Sequence, residues 1–307
     1  MSSLNTAQQK YDNPQKGIVT HAITIDVEDY YHVAAFKDVI EPAEWPDWPS
    51  RVEENTHKIL QLLDSKNTKG TFFVLGWVAD KYPDIVKSIS EQGHEIASHG
   101  YSHQLIYEQS PDIFRSETQK SKQLLEDIIQ KPVTGYRAAS YSITRNSLWA
   151  VDILIELGFQ WDSSIFPVYH DNYGIPGTPK SAYYLQGSKE HKLLEIPLTT
   201  ATIAGTSIPA AGGGYFRLYP YFLSRHLFRM ATRKHPGVFY LHPWEIDPDQ
   251  PRIKQARLLS KFRHYNNLAT CQQRLNKLLT DFRFGTMSEL INKLDADSLA
   301  TINLQTL

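Results

Sequence analysis

Apolar positions along this chain change period repeatedly, and the alternation predicts its elements. Residues 20–26 favour or alternate as a strand, after which Val52, Thr56, Ile59, Leu60 and Leu63 fall on one helical face. GTFFVLG (70–76) predicts a second strand from residues that prefer sheets. PDIVKSISEQG predicts a helix with Pro at its start and Gly at its stop. HEIASH (94–99) gives a third strand, and Phe114, Ser121, Leu124, Leu125, Ile128 and Ile129 mark a helix that must end before Pro132. GYRAAS (135–140) predicts a fourth strand, followed by a helix from Leu148 to Leu157 that stops at Gly158. FQWDSS, LLEIPL and GVFYLHP supply three more. This βαβα order predicts an α/β fold with a parallel sheet and outer helices, and the count of about seven strands suits a barrel better than an open sheet.

The pattern changes beyond His242. PWEIDPDQPRIKQARL is rich in Pro and charge, and a helical stretch runs through Leu275, Leu278, Leu279 and Phe282. The expected organisation is a leader at 1–17, a main domain at 18–245, and a C-terminal extension at 246–307 packed on the barrel. The leader, MSSLNTAQQKYDNPQKG, is polar, lacks the apolar core of a signal peptide and is expected to be disordered. Residues 196–216 are uncharged over a membrane-span length. Their four Gly, two Pro and five Ser/Thr would break such a helix, so a glycine-rich loop beside a site is expected instead.

Composition narrows the function classes. With 32 basic against 33 acidic residues the net charge is −1, which gives the whole chain no electrostatic footprint for nucleic acid or an anionic membrane. No GxGxxG or GxxxxGK[ST] run follows a strand, which argues against a nucleotide site. A single cysteine, Cys271, excludes an internal disulfide and fits a reducing compartment.

The candidate chemistry sits at the predicted strand ends, where barrels of this kind keep their catalytic groups. THAITIDVEDYYHV crowds Asp26, Glu28 and Asp29 into four positions, although clustered acids repel and resist desolvation. SHGYSH adds His99 and His103, GYRAAS adds Arg137, WDSS adds Asp162, and YLHP adds His242. Singly, each has a structural explanation. The acids could sit at a helix N-terminus, the two histidines on the surface, Arg137 as a partner for any acid, and His242 as a hydrogen-bonded core group. Together, two imidazoles and a carboxylate make a three-ligand set with open positions, the pattern of a catalytic metal centre. A second carboxylate can then serve as general base on water and a separate histidine as general acid, which points to hydrolysis of an amide or ester. Zinc suits the ligands best, with cobalt, nickel or iron as alternatives.

These motifs and their order resemble the polysaccharide deacetylases with a NodB-homology domain, carbohydrate esterase family 4. TIDVED resembles the first motif, SHGYSH the histidine pair, GYRAASYS the arginine motif, WDSS the fourth and YLHP the last, over about residues 18 to 245. The resemblance implies a distorted (β/α) barrel that removes acetyl groups from N-acetylated sugars. It implies Asp26 as general base, His99 and His103 as metal ligands, His242 as general acid and Arg137 as the group that orients Asp26. A backbone N–H near Ser140 or Tyr141 would stabilise the oxyanion, with Asp162 and Tyr215 also on the substrate side. The commonest first motif has adjacent aspartates, but Val27 holds the second place here. A branch with base and ligand two apart makes Glu28 the ligand, with Asp29 the alternative. That branch includes cytoplasmic hydrolases of small linear or cyclic amides, a second functional reading. A sugar-binding protein that has lost catalysis is a third, disfavoured by the complete set of groups. GGGYFRLYP (212–220) and the C-terminal extension resemble bacterial deacetylases of exopolysaccharide loci found with exosortases, which implies a cytoplasmic protein acting on an acetylated glycan or its precursor.

Overall fold

The computed structural model describes residues 20–170 and 173–307; the expected leader lies outside them. Among the described residues, twelve strands follow one another as β1 (His21–Val27), β2 (Thr71–Val74), β3 (Glu95–Ser98), β4 (Gly135–Tyr136), β5 (Trp161–Asp162), β6 (Tyr183–Gln186), β7 (Lys192–Glu195), β8 (Thr200–Ile203), β9 (Thr206–Pro209), β10 (Val238–Leu241), β11 (Phe284–Gly285) and β12 (Thr301–Asn303). The main sheet runs β10-β1-β2-β3-β4-β5-β7-β6-β12, with β11 also paired to β1. The seven predicted strands correspond to β1, β2, β3, β4, β5, β7 and β10, and each neighbouring pair among them is parallel. The fold is therefore α/β with a mostly parallel sheet.

The described strands form no closed barrel, which corrects the expectation. The ladder would have to close from β7 to β10, and Pro197 after β7 has no N–H to give it. Side chains and one bridge span the gap instead. Thr199 Oγ1 donates to Val238 O (2.9 Å) and accepts from Val238 N–H (2.8 Å), and Gly212 makes an isolated parallel bridge to Tyr240. Gly212 has φ 128°, and a Cβ there would lie 1.9 Å from Tyr240 O, so only glycine allows this approach. The predicted glycine-rich loop is partly structured: β8 and β9 form an antiparallel hairpin turning at Ala204 and Gly205, both with positive φ. Among the described residues, no helix is long and apolar enough to cross a membrane.

The period of two along β1 divides two cores. Ile23, Ile25 and Val27 face outward into the apolar layer beneath helices such as Val52–Ser65 and Pro111–Ile129. Ala22 faces inward with Phe73, Ala97, Trp161, Leu194 and Val238, in the concave side of the sheet. Thr24 and Asp26 share that inward phase, so β1 delivers a carboxylate to the concave face at its C-terminal end. The extension beyond residue 245 joins the same sheet: β11 pairs with β1, and β12 extends the edge beyond β6.

Candidate active site

Asp26 ends the inward series of β1, and Glu28 continues its phase. Asp26 is buried between Arg137 and Tyr141: Arg137 Nη1 donates to Oδ1 (2.7 Å) and the Tyr141 hydroxyl to Oδ2 (3.3 Å). Arg137 leaves β4 inward and is wholly buried. It also donates to Thr24 Oγ1 (2.8 Å), Ser163 O (3.2 Å) and Ser163 Oγ (3.1 Å), and its guanidinium lies 3.9 Å from the Phe73 ring centroid. So many contacts fix the guanidinium, and through it the Asp26 carboxylate.

Glu28, His99 and His103 come together after β1 and β3. One donor atom from each lies within 4.8 Å of the others, and all three side chains are buried. His103 Nε2 lies 2.7 Å from Glu28 Oε2, while Trp244 Nε1 donates to Glu28 Oε1 (3.2 Å). His99 Nδ1 meets Arg137 O at 2.9 Å, which directs its Nε2 toward the cluster. His103 adopts φ 54°, an uncommon left-handed backbone that turns its ring back to His99. Burial holds His99 down at about 4, so it is neutral and able to ligate. Burial pushes the Glu28 carboxyl up, but His103 and His242 outweigh it and leave it far below the usual carboxylate range. Buried donors converging in this way fit a divalent cation.

Asp29 lies outside this cluster. Its carboxylate accepts from Ser50 Oγ (2.7 Å), Arg51 N–H (2.7 Å), Val52 N–H (3.1 Å) and Tyr30 N–H (3.0 Å). It anchors the N-terminus of helix Val52–Ser65, the structural explanation available for the acidic run, and of the two alternatives only Glu28 joins the histidines. Asp162 also fails to reach the cleft. It is buried against Glu195, accepts from Ser164 Oγ (2.5 Å), and Ser164 Oγ in turn accepts from Ala138 N–H (2.8 Å). Burial, then the neighbouring Asp162 charge, push the Glu195 carboxyl well above the usual carboxylate range. Its register on β5 points Asp162 into packing behind Arg137, where it supports the arginine loop.

His242, at the end of β10, faces the cluster from the other side. Its Nε2 stands 3.8 Å from Asp26 Oδ2 and 3.6 Å from Glu28 Oε1, and its Nδ1 meets Glu245 Oε1 at 2.8 Å. Burial depresses its pKa, but Glu28, Glu245 and Asp26 prevail and raise it to about 9. Glu245 is itself held by Arg217, whose Nε donates to Oε2 at 2.6 Å. Sequence reasoning missed both Glu245 and Arg217. The available signal was HPWE, which sets an acid three residues after the candidate histidine.

The groups open onto a cleft of about 1040 Å³. Asp26, Glu28, His99, His103, Ser140, Tyr141, Tyr215 and His242 line it, and aromatic side chains Tyr107, Tyr169, Tyr173 and Trp244 add to its wall. Ser140 and Tyr141 both have positive φ, at 50° and 56°. Tyr141 N–H is engaged by Ala138 O (3.0 Å), which leaves Ser140 N–H as the candidate oxyanion donor of the two.

Comparison with known proteins matches residues 44–160 to the family model described as polysaccharide deacetylase. The chain is similar to polysaccharide deacetylases. Residues 163–292 match a domain of unknown function, DUF3473, so that match runs across residue 245. The site draws His99, His103 and Arg137 from the first matched segment and His242 and Glu245 from the second, while Asp26 and Glu28 precede both. A peptidoglycan-N-acetylglucosamine deacetylase of Bacillus cereus is 37% identical over 100 residues, 32% of this chain and 36% of that protein. A peptidoglycan deacetylase of Helicobacter pylori is 28% identical over 112 residues, 35% of this chain and 36% of that protein. The aligned part thus spans about a third of these curated relatives. A solved Mycobacterium smegmatis structure assigned as a polysaccharide deacetylase covers 92% of this chain and 93% of its own, with TM-score 0.59 and 20% identity. An allantoinase structure covers 91% of each chain with TM-score 0.57 and 14% identity. These two structures share the fold.

Proposed function

We propose that the protein is a metal-dependent hydrolase that removes N-acetyl groups from an acetylated polysaccharide or its biosynthetic precursor. One observation carries the reading: a carboxylate oriented by Arg137 stands beside a Glu28–His99–His103 cluster, with His242 3.8 Å from that carboxylate. Those three ligands would hold the cation, which when bound supplies Lewis acidity toward the acetyl carbonyl and lowers the pKa of water. Zinc fits two imidazoles and a carboxylate, with cobalt, nickel and iron as alternatives.

Asp26 acts as general base and takes the proton of the attacking water; Arg137 keeps its carboxylate aimed. Ser140 N–H donates to the developing oxyanion. His242, with Nδ1 held by Glu245, presents Nε2 to the departing amine and protonates it as the C–N bond breaks. The aromatic cleft supports a glycan over a small amide: rings with apolar faces and polar edges suit sugars, and about 1040 Å³ is the upper end of small-molecule pockets. Assignment to the branch of exopolysaccharide loci rests on GGGYFRLYP and the extension. A cytoplasmic setting is supported by Cys271, single and buried.

The test is metal analysis of the purified protein together with acetate release from a panel of N-acetylated oligosaccharides, before and after chelation and readdition of divalent metals. Release that depends on metal is expected. No release from any of them with any metal supplied would overturn the reading.

A further inference from the structure

Helix Leu258–Tyr265 is turned inside out. Its exposed side carries Leu258 (83% exposed), Leu259 (59%) and Phe262 (57%), whereas its buried residue is a histidine, His264. His264 stacks on Trp244 at 4.1 Å between ring centroids, and its Nε2 meets Gln250 Oε1 at 2.6 Å. Arg217 Nη1 donates to His264 O (2.7 Å) and to Asn266 O (2.9 Å). A polar ring is therefore tied down while three apolar side chains are left to solvent, the reverse of a surface helix that serves a protein core.

The charge around this helix is equally one-sided. From Gln250 to Thr280 there is no Asp or Glu, while Arg252, Lys254, Arg257, Lys261, Arg263, Arg274 and Lys277 are all basic. Arg252, Lys254, Arg257 and Arg263 are exposed in and just before this helix, and among the described residues only Arg257 of these four has an acidic partner, the exposed Asp38. The whole-chain charge of −1 conceals this segment. The cleft is continuous with it: Ser260, Phe262, Arg263 and the half-exposed Leu218 line the cleft's wall.

We infer that this helix docks the protein on an anionic membrane surface, with Leu258, Leu259 and Phe262 entering the headgroup–acyl boundary and the flanking cations meeting acidic phospholipid headgroups. Exposed apolar side chains flanked by exposed cations are the chemistry of an interfacial helix. Shallow apolar insertion needs no shaped partner pocket, which suits side chains that project from a convex helix. Docking here sets the mouth of the cleft at the bilayer, within reach of a substrate carried on a lipid. The surface stands on its own observations and does not depend on the hydrolase reading.

The experiment is cosedimentation of the full chain with vesicles of phosphatidylcholine alone and of phosphatidylcholine with phosphatidylglycerol in equal parts, at low and high salt. Binding to the anionic vesicles is expected, weakening with salt. Leu258→Ser/Leu259→Ser/Phe262→Ser should lose most of it, and Lys254→Gln/Arg257→Gln should weaken it about fivefold per cation removed. All five positions are exposed or nearly so, and unchanged thermal midpoints would show that the variants are folded. Equal sedimentation with and without phosphatidylglycerol, or a triple serine variant that binds like the parent, would overturn the proposal. So would a concentration-dependent dimer, in the absence of vesicles, that the same serine substitutions dissolve, because a second copy would then be the occupant.

Discussion

Arg137→Met should destabilise the protein far more than its volume change implies, and removing its partner as well should restore part of the loss. The guanidinium is wholly buried and ends on Asp26, Thr24 and Ser163, so its removal leaves the Asp26 carboxylate in the sheet interior without its cation. Breaking a buried ion pair from one side costs about 3–5 kcal/mol. At roughly 2–4 °C per kcal/mol for a domain of this general size, that is a drop of about 6–20 °C in Tm. Asp26→Asn/Arg137→Met removes both charges and should be more stable than Arg137→Met alone, with a coupling of about 2–3 kcal/mol. Urea unfolding of the parent, both single variants and the double variant completes the cycle without needing a substrate. A double variant less stable than Arg137→Met, with the two losses adding to within about 0.5 kcal/mol, would refute the claim that the arginine exists to hold that carboxylate.

Three further outcomes follow from the same geometry. Glu28→Gln, His99→Ala and His103→Ala should each lose bound metal by elemental analysis, whereas Asp29→Asn should retain it and melt lower because the Val52–Ser65 helix loses its anchor. His242→Ala should lose rate on N-acetyl substrates far more than on an aryl acetate, whose leaving group needs little protonation, and Glu245→Gln should show the same bias more weakly; equal losses on both substrates would remove His242 from the acid role. Acid should destabilise the fold through His21, whose ring sits among Phe228, Phe282 and Phe284, whose Nδ1 accepts from Gly237 N–H, and whose pKa burial lowers from 6.5 to about 4. The unfolded chain protonates first, so this stability is intact above about 6.5 and is lost as pH falls toward about 4, up to roughly 3 kcal/mol, and His21→Gln should flatten that slope in urea titrations.

The parallel strands were readable because each carries its own local pattern, and even the two-residue β4 and β5 are bounded by Gly, Pro or a helix stop. The elements that escaped lack such a pattern. Phe284–Gly285 and Thr301–Asn303 are too short for a period, and their pairing is set by β1 and β6, far away in sequence. The open seam beside β10 also lay beyond a count of strands, because it depends on Pro197, which has no N–H, and on how Thr199 meets Val238. In the site, alternation along β1 puts Asp26 and Glu28 on one face, which strand phase alone could have revealed. Separating Asp29 from them required Ser50–Val52, a helix start 21 or more residues on. Asp162 looked like every other acid at a strand end. Only the facing Glu195, from β7, shows that it is turned away from the cleft.

The placement of β1 also governs the order in which the protein can assemble. On its β10 side this first strand waits for a partner 215 residues later, where Thr24 meets Phe239, and for β11 beyond that. At ribosomal speeds of about 5–20 residues per second, the gap amounts to roughly 10–40 s in which a hydrophobic strand carrying Asp26 has one open edge. Folding dominated by such distant pairing is slow. The nascent chain is therefore most exposed to mispairing at the strand that later bears the proposed base, and the concave face becomes complete only when the last part of the chain has emerged.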